Sequence, residues 1–449
     1  MEKIDTNVLL ERIQVALEKS DVNTALKILE SMRLPDQADL FSDLKDDEKM
    51  VLLPQMAPAD SADLLEEMED EEAAELVSAL STEKAIPIVD EMEPDKAADL
   101  LGDITNEHAA SILAGMENPE EVRPLMLHPD DSAGGLMTSE FLALRRRMTA
   151  EEAIIAIRNW KPENDDIYRL FVVDGENYLV GSVSLRELIT AEPKTNLVDF
   201  MDPEVLSVTV GVDQEECARI ITRYDLLLLA VVDENRKLIG VITVDDVIDV
   251  IEDETTEDIQ RFGGAEPLNQ AYLSTSTWMI SRKRIGWLLL LFVTESLTGT
   301  VLRFFENELS SVVALSFFIP LLIGTGGNAG SQTTSTIIRA LAVGDIDVSD
   351  AIKSLWHELR IGLMLGLGMS IIAYVRALTW GSSPQLAVTV ASSIMIIVVW
   401  ANVLGAVLPL LAGKLKIDPT VVSGPVMSTL VDATGLFIYF SIAKMVIGL

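Results

Sequence analysis

The sequence predicts a multidomain membrane protein. An N-terminal α-helical superhelix of short repeats is followed by a tandem α/β pair, an acidic connecting helix and a five-helix transmembrane domain. Three observations predict it. Charge and hydropathy separate along the chain: the net charge is −37, yet 49% of the residues are hydrophobic. Residues 1–280 hold 23 basic and 62 acidic side chains, and residues 281–449 hold 11 and 9. An apolar pair recurs every 12 residues between Leu40 and Leu113, and two stretches near the middle align without gaps at an offset of 59. The boundaries expected are 1–130 for the repeat domain, 131–200 and 201–250 for two modules, 251–280 for the connecting helix and hinge, and 281–449 for the membrane domain.

The acidic half would be repelled by nucleic-acid phosphates and favours cations as partners. Excess surface carboxylates also confer solubility, as in a saline habitat. The single cysteine, Cys217, excludes an intrachain disulfide and a cysteine-based metal site. Met1 to Glu18 is charged and amphipathic and lacks a signal peptide, which puts the N-terminus in the cytoplasm.

In the repeat domain the apolar pairs are Leu40-Phe41, Leu52-Leu53, Leu64-Leu65, Leu76-Val77, Ile88-Val89, Leu100-Leu101 and Ile112-Leu113. So short a period fits helices of about two turns stacked into a superhelix, since no unit can bury its own face alone. The outer faces are dense in carboxylates, among them Asp90 and Asp95. Singly these are solvated surface; together they form a cation-sensing face if a second acidic face closes on them.

The tandem stretches are Leu170–Ile189, LFVVDGENYLVGSVSLRELI, and Leu229–Ile248, LAVVDENRKLIGVITVDDVI. Each reads as strand, turn, strand, then a helix opened by Ser or Thr. Each resembles a CBS module, and the pair resembles the regulatory pairs that often bind adenine nucleotides. The resemblance implies ATP or ADP held at Thr243 and Asp246, within Gly240-x-x-Thr243-x-x-Asp246. The first copy keeps Gly181 and Ser184 but has Glu187 in place of the aspartate, which argues against two equivalent sites. Arg145-Arg146-Arg147 either holds phosphate or pairs with acidic neighbours.

Beyond Thr243, Asp245, Asp249, Asp253 and Glu257 recur every four residues, with Asp246 and Glu252 flanking the row. On a helix this stacks like charges, which costs ~0.2–0.5 kcal/mol per pair. A bound divalent cation would relieve that repulsion. Gly263-Gly264 then ends the helix.

Five apolar spans follow, at about Ile285–Leu302, Val312–Leu341, Leu355–Leu378, Leu386–Leu411 and Thr420–Gly448. The basic residues place the C-terminus outside. The second span carries a polar, glycine-rich run with Gly326, Gly327, Asn328 and Gln332, tolerable only against protein or water. In the fifth span Asp432 lies near mid-membrane, where a carboxylate marks an ion or proton path by default. Ser428 and Thr429 precede it by one turn, and Gly424-Pro425 is expected to loosen the backbone further back. Gly362, Gly366 and Ser370 form a close-packing face, and Glu358 is read as interfacial. No enzyme motif is present: His357-Glu358 lacks the second histidine of a zinc site.

The order of these parts, with the GTGGNAGSQTT and GPVMSTLVDATG segments, resembles the MgtE family of magnesium channels over essentially the whole chain. The resemblance implies a homodimer in the cell (inner) membrane with a central pore, closed by cytosolic Mg²⁺ bound between soluble domains. Asp432 matches the family's pore carboxylate; Gly326, Gly327, Asn328, Gln332, Ser428 and Thr429 are the candidate pore lining. Asp245, Asp246, Asp249, Asp253 and Glu257, facing Asp90, Asp95 or Asp225, are the candidate regulatory ligands. Mg²⁺ gives up its waters reluctantly and prefers oxygen ligands, so carboxylates and carbonyls around a hydrated ion suit it. The alternatives are a channel for Co²⁺ or Mn²⁺, or a membrane-anchored nucleotide sensor without a pore.

Overall fold

The computed structural model describes residues 6–160, 168–268, 272–273, 275–422 and 424–448. It divides into two compact units, Met1–Asp253 and Glu254–Leu449.

The first unit opens with ten helices: α1 (Thr6–Glu18), α2 (Val22–Leu29), α3 (Leu34–Ser42), α4 (Asp46–Leu52), α5 (Pro58–Glu66), α6 (Asp70–Ala79), α7 (Thr82–Val89), α8 (Pro94–Asp103), α9 (Asn106–Leu113) and α10 (Pro119–Val122). Proline in the first turn starts α3, α5, α8 and α10, where its missing N–H costs nothing. Every residue of the seven apolar pairs is buried, from Leu40 at 0% exposed to Leu113 at 9%. The helices pack on their next-but-one neighbours, α3 on α5, α5 on α7 and α7 on α9, with α4, α6 and α8 forming the second row. One pair per helix therefore suffices to make a continuous core.

Two α/β modules follow. The first contains β1 (Ala143–Arg145), α11 (Ala150–Trp160), β2 (Arg169–Val173), β3 (Leu179–Ser184) and α12 (Leu185–Thr190). The second contains β4 (Ser207–Thr209), α13 (Gln214–Tyr224), β5 (Leu228–Val232), β6 (Leu238–Thr243) and the start of α14 (Val244–Phe262). In each sheet the first strand pairs parallel with the second, and the second antiparallel with the third. The register shifts at Val172/Val173 in one and at Val231/Val232 in the other, so even the irregularity repeats with the sequence. Phe171 and Val173 share a core with Ala230, Leu238 and Val241, joining the modules. Helix α14 ends before Gly263-Gly264, and Gly264 takes the left-handed φ of +74° that such an ending requires.

The second unit holds α15 (Thr277–Phe304), α16 (Glu306–Ser311), α17 (Ile319–Ala342), α18 (Ala351–Thr379), α19 (Pro384–Lys414) and α20 (Gly424–Ile447). Five stretches are long and apolar enough to cross a membrane: Thr277–Phe304, Val313–Ala342, Val348–Thr379, Pro384–Lys414 and Gly424–Ile447. α19 is the hub, packing on α17, α18 and α20. Its Ile394, Ile397 and Val398 meet Met427, Val431 and Leu436 in the core. Small residues permit the close crossings: a Cβ on Gly366 would lie 2.9 Å from the Met395 carbonyl. In α15 the apolar side chains Leu288, Leu289, Phe292 and Val293 are exposed.

One expectation is corrected here. Gly424-Pro425 does not loosen the backbone of a helix already under way; it opens α20, where neither residue interrupts a hydrogen-bond ladder. Asp432 consequently sits about two turns into the helix.

Candidate ion path and charged clusters

Asp432 projects from α20 toward the glycine-rich α17. One carboxylate oxygen, Oδ1, is buried without a hydrogen-bond partner. A Cβ built on Gly327 would lie 3.2 Å from Ser428 Oγ and 3.7 Å from Asp432 Oδ1, so the absent side chain at 327 leaves the carboxylate its space. Ser428 Oγ lies 3.3 Å from Ser331 Oγ, which in turn donates to the Gly424 carbonyl at 3.3 Å. Hydroxyls, a carbonyl and an orphan carboxylate oxygen thus converge where α17 crosses α20. An unsatisfied buried oxygen of this kind is costly unless something binds it.

The other candidates on these helices divide. Gly326 and Gly327 are buried. Gly326 lies against Ile397 and Val431. Asn328 and Gln332, four residues apart, share an exposed face of α17. Thr429 is buried and donates its hydroxyl to the Pro425 carbonyl at 3.0 Å.

In the first unit, Lys96 on α8 lies 3.4 Å from Asp246 at the start of α14. Asp95, Asp70 and Asp99 also act on it, and against the pull of burial these acids raise its pKa above the usual lysine range. Asp95 is 3% exposed, and its Oδ1 has no partner. Burial, then the charges of Asp246 and Glu93, push Asp95 up to about 7. Burial, then Asp70 and Asp95, push Asp99 to about 8. Burial raises Glu66 to about 7. The carboxylates here are crowded beyond what one ammonium neutralises.

Asp245, Asp249 and Asp253 are exposed along α14. Glu257 pairs with Arg261, whose Nη1 also donates to Asp418 at 2.6 Å. That arginine ties the end of α14 to the turn preceding α20. Asp90 accepts from the Glu117 amide at 2.7 Å, and Asp225 is an exposed left-handed residue ending α13. Among the described residues no three carboxylate, imidazole or thiol side chains converge as a metal site. The regulatory candidates of one chain therefore do not form a closed ligand set here.

In the first module an open cavity of about 540 Å³ is lined by Tyr168, Arg169, Ser184, Arg186, Glu187 and their neighbours. Glu187 reaches back to the Ser184 amide at 2.9 Å while Ser184 Oγ caps the Glu187 amide at 3.2 Å. The longer acid closes a reciprocal cap on α12, a use the aspartate spacing did not reveal. In the second module Thr243 hydrogen-bonds Asp246, which is also held by Lys96. Arg145 donates to the Asp174 carbonyl and to Asn177 Oδ1, bracing the β2–β3 turn.

Sequence reasoning missed Lys96, Arg261, Asp418 and Ser331. The only available signal for the cations was their rarity among so many acids. Glu358 of α18 is 6% exposed, with its carboxyl against Thr333 of α17.

Comparison with known proteins agrees with this architecture. The description "Divalent cation transporter" (MgtE) matches residues 319–442, the MgtE intracellular N domain matches 32–131, and CBS domains match 133–194 and 197–253. The magnesium transporter MgtE of Thermus thermophilus is 42% identical over 73% of this chain and 72% of its own length. That of Bacillus subtilis is 34% identical over 72% of this chain and 71% of its own. The crystal structure of the cytosolic domain of the Mg²⁺ channel MgtE in complex with ATP is 35% identical, with a TM-score of 0.51. It covers 54% of this chain and 99% of its own. The soluble part of a magnesium transporter matches with a TM-score of 0.50 at 30% identity, over 56% of this chain and 99% of its own. An intracellular helical domain, a CBS pair and a multi-pass membrane domain stand here in one chain, and the chain belongs to the MgtE family of magnesium transporters.

Proposed function

We propose that the chain forms a homodimer whose membrane domain passes hydrated Mg²⁺ by way of Asp432, and that cytosolic Mg²⁺ on the soluble acids closes the path. The observation that carries the reading is the Asp432 Oδ1 left without a partner beside Gly327 and Ser428. Asn328 and Gln332 extend the polar face of α17, and hydroxyls, amides and carbonyls suit an ion that keeps its water. Co²⁺ and Mn²⁺ carry similar hydration shells and are the competing cargo. In reconstituted vesicles Asp432→Ala is expected to lose Mg²⁺ uptake by about tenfold or more, as befits an uncompensated change at a charged group. Flux at the wild-type rate in a correctly inserted variant rejects the path.

Closure is assigned to Asp245, Asp246, Asp249, Asp253 and Glu257, with Asp90, Asp95 and Asp225 as acids from other elements. Mg²⁺ bridging them favours the compact state by mass action. The cytoplasmic N-terminus, the outward C-terminus and the domain limits given above belong to the same reading.

An adenine nucleotide is assigned to the CBS pair. A relative's cytosolic domain has been crystallised with ATP. Thr243 and Asp246 remain the motif-based candidates. Tyr168, Arg169 and Arg186 add an aromatic face and two guanidinium groups at one cavity, suited to a base and to phosphates. Calorimetry separates the two places. Arg186→Ala is expected to weaken ATP binding by about tenfold, the scale of a charge-assisted hydrogen bond. Undiminished binding in Arg186→Ala with loss in Asp246→Ala moves the nucleotide to the second module.

A further inference from the structure

Glu358 is a buried acid in a membrane helix that the ion path does not use. It lies on α18 and is 6% exposed. Its Oε2 lies 3.3 Å from Thr333 Oγ1 of α17. The same Thr333 oxygen lies 2.8 Å from Asn402 Oδ1 of α19. Thr333 is 5% exposed and Asn402 1%. Three helices are therefore tied through one hydroxyl.

The hydrogen atoms in this group can be counted. Asn402 Nδ2 donates to the Val398 carbonyl at 2.8 Å, which fixes the amide so that its oxygen faces Thr333. Thr333 has one hydroxyl hydrogen and can give it to a single acceptor. The 2.8 Å contact to Asn402 takes it. The contact between Glu358 Oε2 and Thr333 Oγ1 then sets a carboxyl oxygen against hydroxyl lone pairs, and it is attractive only if a further hydrogen lies between them. His357, its neighbour on the same helix, is exposed and cannot supply it. Among the described residues Glu358 has no ion-pair partner. An unpaired charge in such surroundings is costly.

We propose that Glu358 is a positioning residue: it carries its own proton and, as a neutral acid, donates to Thr333 Oγ1. The resulting chain runs from Glu358 to Thr333 to Asn402 to the Val398 carbonyl and leaves none of these contacts without a hydrogen. It locks the rotation of α17 about its axis. Thr333 is on the buried side of that helix, and Asn328 and Gln332 are on the exposed side. The packing below the clamp is tight, since a Cβ on Gly405 of α19 would lie 2.8 Å from the Gly330 carbonyl and 3.0 Å from Thr333 Cβ. Fixing Thr333 thus fixes how α17 presents Gly327 to Asp432 and which of its polar side chains face away from the core.

The inference rests on the ion-path reading, and the test separates the two. Full-length protein in vesicles is assayed for Mg²⁺ uptake as wild type, Glu358→Gln and Glu358→Ala. Glutamine keeps the shape and donates through its amide, so E358Q is expected to stay within about twofold of wild type. E358A removes the donor to the Thr333 oxygen and opens a gap between α17 and α18, and is expected to lose about tenfold or more. E358Q falling as far as E358A, or E358A conducting normally, overturns the proposal. If E358A fails to insert, infrared difference spectroscopy of wild type against E358Q decides. A carbonyl stretch of protonated carboxyl at neutral pH supports the neutral acid, and carboxylate bands in its place overturn it. A wild-type protein that carries no Mg²⁺ rejects the ion path, while the infrared band still reports on the clamp.

Discussion

At the residue scale, what the protein does with its acids depends on which are buried. Asp95, Asp99 and Glu66 hold their protons to about 7, 8 and 7 because burial disfavours their charge. Each binds a proton in the folded chain at a pH where the unfolded chain has released it. Stability therefore falls as pH rises from the ordinary carboxylate range through about 8 and levels off above it. Thermal melting of the full chain without Mg²⁺ is expected to show this decline between pH 5 and pH 8, in the sense set by those three acids. Asp99→Asn is expected to flatten it and to raise the midpoint at pH 8 by a few degrees, about the effect of 1 kcal/mol in a domain of this size. A midpoint that rises with pH in the wild type contradicts the assignment. Asp432 was legible because a carboxylate within an apolar run is costly to insert and stands out against its neighbours. The burial of Asp95 was not, because it stands in a repeat whose charged face reads as uniformly solvated. The contacts of Glu358 were not legible for a related reason: Thr333 and Asn402 are 25 and 44 positions away and join its cluster only when the helices pack.

At the element scale, periodicity carried most of the fold. The apolar pairs located the repeat helices because each short helix must bury its pair against its neighbours, and all seven pairs are buried. The aligned stretches marked the hairpin and following helix of each module; the register shift they share was not read from them, though similar sequences build similar ladders. The start of the helix in the fifth span differs from the expectation, since Gly-Pro opens a helix as readily as it disturbs one. The most consequential pairing is between elements far apart in sequence: Arg261 at the end of α14 and Asp418 just before α20. Asp258 nearby is pushed up to about 6 by burial and then by Asp418, so that corner is acid-rich and held by one guanidinium. Arg261→Ala is expected to uncouple α14 from the turn leading into α20. Closure of Mg²⁺ flux would then need roughly tenfold more cytosolic Mg²⁺, the scale of one charge-assisted bond. Arg261→Lys keeps the charge but not the fork between two acids, and is expected to fall between. An unchanged closing concentration in Arg261→Ala shows that this link carries no part of gating.

At the scale of the whole molecule, the chain sets a soluble half of 62 acidic and 23 basic residues before a nearly neutral membrane half. In the proposed homodimer two such halves would repel, within the ~8 Å reach that physiological salt allows. In the function proposed above, the ion that the membrane half passes is also the ion that neutralises the soluble half. Under that proposal the two halves are one system: Mg²⁺ accumulating in the cytosol binds the acids of the soluble half and stops its own entry. Helix α14 carries the exposed Asp245, Asp249 and Asp253 and leads toward Arg261, so it is the part to alter. The most direct measurement is Mg²⁺ flux through the reconstituted full-length protein while Mg²⁺ is raised on the side of the soluble domains alone. Wild type and the triple variant Asp245→Asn, Asp249→Asn, Asp253→Asn are compared at equal insertion. Wild type is expected to close as Mg²⁺ enters the millimolar range, where weak carboxylate sites fill, and the triple variant to keep conducting. A triple variant that closes at the wild-type concentration contradicts the proposal.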